Sequence, residues 1–176
     1  MTDKTRLRAE LRAARRSASG AVPAWPSFTA LLSRGLVVAS YVPVGGEADP
    51  APLEQAALAA GCRLALPHVV DRATPLVFLA WEAEIALTEG PFGLRQPAAH
   101  HPSLAPNIVL TPLVGFDRRG NRLGQGAGHY DRAFAAFPHA RRIGIALSVQ
   151  ETDQLTPDPW DVPLHAIATE REWIAV

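Results

Sequence analysis

Between residues 108 and 137 an apolar run, Ile-Val-Leu-Thr-Pro-Leu-Val, leads into a glycine-rich stretch, and a helix-like run leads out of it. Such a chain has to turn from a strand into a helix over Gly124, Gly126 and Gly128, which limits its architecture more than any other feature. Alternating glycines delete every second side chain, so backbone N–H groups can converge on an anion at the positive end of the helix dipole. One dipole contact is worth only about 0.3 to 1 kcal/mol, so several N–H groups and a cation such as Arg122 are needed together. Tight turns also use glycine for positive φ with no ligand present. Here Arg122 before the glycines and Tyr130-Asp131 after them add a cation, an aromatic face and a carboxylate. The stretch is not a Walker A loop, since no Gly-Lys-Ser/Thr closes it, and it lacks the Gly-x-Gly-x-x-Gly dinucleotide spacing.

A chain of 176 residues with 48% hydrophobic content can bury a proper core, and residues 1–176 are expected to form a single domain. Formal net charge is zero, with 17 basic and 17 acidic residues, which argues against nucleic acid or an anionic membrane as partner. No run reaches the roughly 18 apolar residues of a membrane span. The single Cys62 excludes an internal disulfide, so a reducing, cytoplasmic setting is expected. Nothing sets an oligomeric state, and a monomer is the simplest expectation. Of the 17 basic residues only Lys4 is lysine. An ammonium is a compact point charge suited to a terminal phosphate; the alternative is an accident of composition.

Residues 2–17 read as a helix capped by Thr2 or Asp3, with Leu7, Leu11 and Ala14 on one stripe. Its other faces carry Lys4, Arg6, Arg8, Arg12, Arg15 and Arg16, expected as a largely solvated basic surface on which Lys4 and Arg8 share a side. Asp3 and Glu10 argue against a transit peptide. Residues 19–26 form a connector and 26–34 a short helix. A strand over 35–42, a helix over 52–60 closed by Gly61 and a strand over 62–69 predict a right-handed parallel unit. Residues 76–81 form a further strand that 82–87 continue or pair with. Residues 90–106 are a loop whose His100-His101 pair has no third metal ligand at a useful spacing. Strands over 141–149, 164–169 and 172–176 complete the chain. The expected fold is α/β, a single three-layer domain with a mostly parallel central sheet flanked by helices. Ligands of such sheets bind at carboxyl ends of strands, where Tyr41 and Glu47 follow the first strand. On its own Glu47 reads as a helix-opening acid.

Phe116-Asp117-x-x-Gly120-x-Arg122-Leu123-Gly124-x-Gly126-x-Gly128-x-Tyr130-Asp131 resembles the signature of the 5-formyltetrahydrofolate cyclo-ligase (methenyltetrahydrofolate synthetase) family. The resemblance extends to residues 4–8, 41–47, 66–67, 92–97 and 161–170. It implies ATP- and Mg²⁺-dependent closure of 5-formyltetrahydrofolate to 5,10-methenyltetrahydrofolate through an imidate phosphate, with release of ADP and phosphate. It implies that Lys4, Arg8, Arg122, Leu123, Gly124, Gln125, Gly126, Ala127, Gly128, His129 and Tyr130 surround ATP, and that Lys4, Arg122 and Asp131 serve the chemistry. Asp131 and Asp161 would stand near Mg²⁺, while Glu47, Phe92, Leu94 and Tyr130 would surround the folate. Two positions depart from the pattern: Gln96 stands where many bacterial members carry Glu, and His129 replaces the first aromatic of a Tyr-Tyr pair. An isomerase or acyl-CoA transferase of related architecture is an alternative, but it would want a dedicated carboxylate nucleophile, and none stands out. A non-catalytic nucleotide- or folate-binding module would have no need of Lys4, Arg8, Asp131 and Asp161 together.

Overall fold

Along the chain run α1 (Asp3–Arg16), α2 (Pro26–Thr29), β1 (Val37–Ala39), α3 (Ala51–Ala59), β2 (Arg63–His68), β3 (Val77–Trp81), β4 (Thr88–Glu89), β5 (Arg95–Gln96), β6 (Ile108–Pro112), β7 (Gly115–Phe116), β8 (Arg122–Leu123), α4 (His129–Ala136), β9 (Arg141–Ile145), β10 (Ala166–Ala168) and β11 (Trp173–Ala175). These elements come from a computed structural model that describes residues 3–18 and 20–176, so the expected cap at Thr2 and the connector residue Ser19 lie outside the described residues.

Seven strands form one sheet in the order β11-β10-β9-β6-β1-β2-β3. Neighbours from β10 to β2 are parallel, and antiparallel β11 and β3 close the two edges. The expected unit of β1, α3 and β2 is there, with Val37 opposite Arg63 and Ala39 opposite Ala65. Successive strand residues face opposite sides. Val37, Ala39 and Val109 accordingly join Phe134 of α4 on one face. Val38, Ile108 and Leu110 join Phe28 of α2 and Leu53 of α3 on the other. Covering both faces is why these strands read as unbroken apolar runs. Burying one such Leu or Val side chain contributes about 1.5 to 3 kcal/mol.

Several boundaries differ from the expectations. The strands are shorter than the apolar runs because the chain leaves the sheet after residues 39, 112 and 145 while Ser40, Tyr41, Leu113, Val114, Ala146 and Leu147 stay buried. Residues 82–87 turn back, with Ile85 N–H donating to the Glu82 carbonyl, and do not extend β3. The stretch expected as loop over 90–106 contains β5, which pairs with β4. The helix expected over 26–34 is a single turn. A β7–β8 hairpin separates β6 from the glycine turn, so the strand feeding that turn is β8. Asp117 fixes the hairpin: its buried carboxylate accepts backbone N–H groups of Arg119, Asn121 and Leu155 and the Asn121 amide. Burial favours its neutral form, but these four hydrogen bonds outweigh burial and hold the carboxyl below its usual range.

Helix α1 lies across this hairpin. Leu11, with Leu7 beside it, packs on Val114, Leu123 and Leu155, and a Cβ at Gly115 would collide with Leu11. One residue of the expected solvated face is misplaced by the sequence reading. Arg15 is buried and donates to the carbonyls of Gly45, at 2.8 Å, and Leu113, at 3.3 Å.

Candidate active site

Strand order reverses between β1 and β6, so the connections after them run in opposite directions and open a crevice at their carboxyl ends. A cleft of about 790 Å³ lies there, within the size range of ligand sites. Tyr41 and Glu47 reach it from the segment after β1, Pro67 and Val69 from the end of β2, and Pro112 from the end of β6. Helix α1 supplies Lys4 and Arg8. Every residue expected in the site lines this one cleft: Lys4, Arg8, Glu47, Phe92, Leu94, Asp161 and the run from Arg122 to Asp131.

The glycine turn is built for close approach of its backbone. Gly126 and Gly128 have φ of 99° and 66°, and Gly128 is the residue before α4. The N–H groups of His129, Tyr130 and Asp131 have no intrahelical acceptor because they open the helix. The loop is braced from two sides. Arg8 Nε donates to the Gly124 carbonyl at 2.9 Å, and Arg132 donates to the Ala127 carbonyl at 3.1 Å and the Arg72 carbonyl at 2.8 Å. Arg132 also donates to Nδ1 of His129, so that nitrogen is the acceptor and the ring proton sits on Nε2. Burial, then the neighbouring Arg132 and Arg72, lower the His129 pKa and keep the ring neutral. Arg122 pairs with Asp131 and lies over the Phe134 ring at 5.2 Å, while its buried Nε has no acceptor. Lys4 Nζ contacts Asp158 at 2.6 Å and Asp161 at 3.9 Å.

At the other end stands Glu47, whose side chain is 6% exposed. It accepts the Val44 N–H at 3.2 Å and the Gln125 amide at 3.4 Å, with Arg15 3.8 Å away. Burial raises its pKa, against the opposing pull of Val44, Arg15 and Gln125. Two hydrogen bonds leave lone pairs for a ligand's donors. Tyr130 is half-buried and its phenol is pushed well above the usual range, by burial first and by Glu47 second, so it keeps its proton. Phe92 is 65% exposed and is the only non-glycine residue at positive φ among those described, at 62°. Such a conformation costs about 1 to 3 kcal/mol.

Sequence reasoning missed Arg15, Asp158 and Trp160, and it placed Gln125 in the glycine loop without the partner of its side chain. Arg15 was assigned to solvent, though its i+4 spacing from Leu11 offered a hint. The Gln125 side chain faces Glu47, and nothing in the glycine pattern shows that. Asp158 pairs with Lys4. Trp160, 69% exposed, lines the cleft from the same connector. His100 and His101 stack at 4.4 Å, and neither lines the cleft.

A mostly parallel α/β sheet whose switch-point cleft carries a glycine-lined helix N-terminus, cations and carboxylates has the construction of a phosphate-handling α/β enzyme. The 5-formyltetrahydrofolate cyclo-ligase family model matches residues 1–170. The 5-formyltetrahydrofolate cyclo-ligase of Escherichia coli strain K12 is 32% identical over 139 residues, which are 75% of this chain and 76% of that protein. The one from Mycolicibacterium smegmatis is 31% identical over 173 residues, covering 92% and 87%. The solved structure of Aquifex aeolicus 5,10-methenyltetrahydrofolate synthetase superposes with a TM-score of 0.77 at 27% identity, covering 99% of this chain and 93% of that one. This chain belongs to the 5-formyltetrahydrofolate cyclo-ligase family, whose members use ATP. Among the described residues no helix is long and apolar enough to cross a membrane.

Proposed function

We propose that the chain, acting as a single-domain monomer, closes 5-formyltetrahydrofolate to 5,10-methenyltetrahydrofolate with ATP. The observation that carries this reading is the cleft, which brings a cationic glycine cradle and an apolar pocket with a buried carboxylate into one space. The formyl group is an amide whose oxygen leaves poorly. Its attack on the γ-phosphorus gives an imidate phosphate and ADP; N10 then attacks the formyl carbon, loses its proton, and phosphate departs as the ring closes. No protein nucleophile is needed. The protein aligns two ligands and offsets phosphate charge, and alignment can supply about 7 to 11 kcal/mol of the barrier.

In this reading the N–H groups of residues 124–130 hold the phosphates, with Arg122 through its free Nε and Lys4 and Arg8 from α1. Glu47 accepts the amino-pyrimidine edge of the pterin, and Phe92, Leu94 and Tyr130 form walls. Asp131 and Asp161 provide hard oxygen donors beside the cradle, which suits Mg²⁺ shared with phosphate oxygens and water. Among the described residues no cluster of three ligating side chains exists to cage the ion unaided, which agrees with that sharing. When bound, Mg²⁺ would supply charge neutralisation on the phosphates. Asp131, paired with Arg122 here, would help hold that ion, and Lys4, paired with Asp158 here, would face the phosphates.

The direct test mixes purified protein with 5-formyltetrahydrofolate and Mg·ATP and follows methenyltetrahydrofolate by its near-ultraviolet absorbance. Product is expected only when both substrates are present. A folded protein that makes none would refute the proposal.

A further inference from the structure

Gln96 is 4% exposed, and its amide is clipped to the backbone of a single residue beyond β2. Val69 N–H donates to Gln96 Oε1 at 2.9 Å, and Gln96 Nε2 donates to the Val69 carbonyl at 3.1 Å. The side chain thus copies the paired donor and acceptor of a neighbouring strand at a place where the strands themselves have ended. Space for it is reserved by Gly90, where a Cβ would collide with the Gln96 amide, at 2.7 Å from both Oε1 and Nε2. The same segment is tied at Thr88, whose hydroxyl donates to the Gln96 carbonyl at 3.1 Å, and by Gly90 N–H to the Leu94 carbonyl at 2.7 Å. Between these ties sit Phe92, in its strained left-handed conformation, and Leu94. The strands here, β4 and β5, are two residues each; beyond these ties His68 Nδ1 lies 3.0 Å from the Pro97 carbonyl and Leu94 packs on the core.

We infer that Gln96 is the positioning residue of the apolar wall, its amide clip to Val69 setting where Phe92 and Leu94 meet the planar ligand. This rests on the folate reading of that end of the cleft. An amide satisfies both Val69 groups without needing a proton from solvent. A carboxylate can accept the N–H but turns a charge on the buried carbonyl, and an aliphatic side chain leaves both unpaired. A protonated carboxyl recovers the donor.

Three variants test this: Gln96→Glu, Gln96→Leu and Gly90→Ala, each as the full chain. We expect the folate KM to rise about tenfold, the factor that loss of one buried hydrogen bond produces, with the ATP KM within about twofold of wild type. In Gln96→Glu the defect should shrink as pH falls from about 8 to about 6, because an uncompensated buried carboxyl titrates high. His68, Asp71, Arg72, Glu89 and Arg95 sit on the elements around the clip, so the wild type run through the same series removes their contribution. An unchanged folate KM, or both KM values rising together with a fall in melting temperature, would overturn the inference, as would a pH-independent Gln96→Glu defect. Amide exchange at Val69 judges the clip without activity: it should quicken in Gln96→Leu, and unaltered protection refutes the clip. A wild type that forms no methenyl product would sink the folate reading and leave the exchange result to decide the clip alone.

Discussion

Replacing Arg15 by Met tests whether the buried Glu47 carboxylate is held by a buried charge. The guanidinium lies 3.8 Å from Glu47, and the two side chains are 3% and 6% exposed, so water screens the pair little. Removing Arg15 leaves Glu47 buried without its cation and takes a donor from the Gly45 carbonyl, while the Leu113 carbonyl keeps the Gln150 amide at 2.7 Å. Breaking a buried pair from one side costs about 3 to 5 kcal/mol. In a domain of this size each kcal/mol lowers the melting temperature by about 2 to 4 °C, so a fall of about 6 to 20 °C is expected near neutral pH. The pH dependence follows from Glu47. Its folded pKa is already raised above the ordinary 4.5 by burial, so the native state binds the extra proton, and stability falls as pH rises from the unfolded value through the folded one. Loss of Arg15 raises the folded value further and widens that window. The deficit should therefore be largest at neutral pH and shrink as pH falls towards 4.5, where protonation of Glu47 removes its need for a cation. Adding Glu47→Gln should restore much of the loss at neutral pH, while folate affinity stays low in both. Thermal melts of the four proteins in the cycle, at several pH values, measure this. A deficit below about 0.5 kcal/mol at every pH, the size expected for exposed Arg16→Met, would refute the reasoning.

Lys4→Ala should leave melting almost unchanged, because its partners are part-exposed, and should raise the ATP KM about tenfold; unaltered ATP saturation would show the lone lysine to be accidental. Asp131→Asn should lower kcat by at least about tenfold and flatten its dependence on Mg²⁺ concentration, since an amide is a poorer ligand for a hard cation. An unchanged Mg²⁺ titration would remove Asp131 from the metal. Gly126→Ala forces a side chain into φ of 99° and should weaken ATP binding without touching folate affinity, measured by equilibrium titration of each ligand.

The apolar runs by themselves determined the alternation of strands and helices, the parallel β1–α3–β2 unit and the glycine turn into α4. These features repeat at the spacing of one secondary element, and local pattern encodes that spacing. The signature from Phe116 to Asp131 likewise carried the candidate phosphate cradle, because its residues are neighbours in the chain. The lengths of β6 and β9 were not legible, since Leu113 and Leu147 stay buried after the chain has left the sheet and look like strand in the sequence. What only the tertiary structure decided are the meetings across it: Arg15 turned inward to Glu47, Gln125 reaching from the glycine loop to the same carboxylate, Lys4 beside Asp158, and Gln96 clipped to Val69. Each joins residues far apart in the chain, through side chains whose direction is set by the surface they pack against. A residue's type states what it could bond with, and only the folded chain brings the partner within about 3 Å.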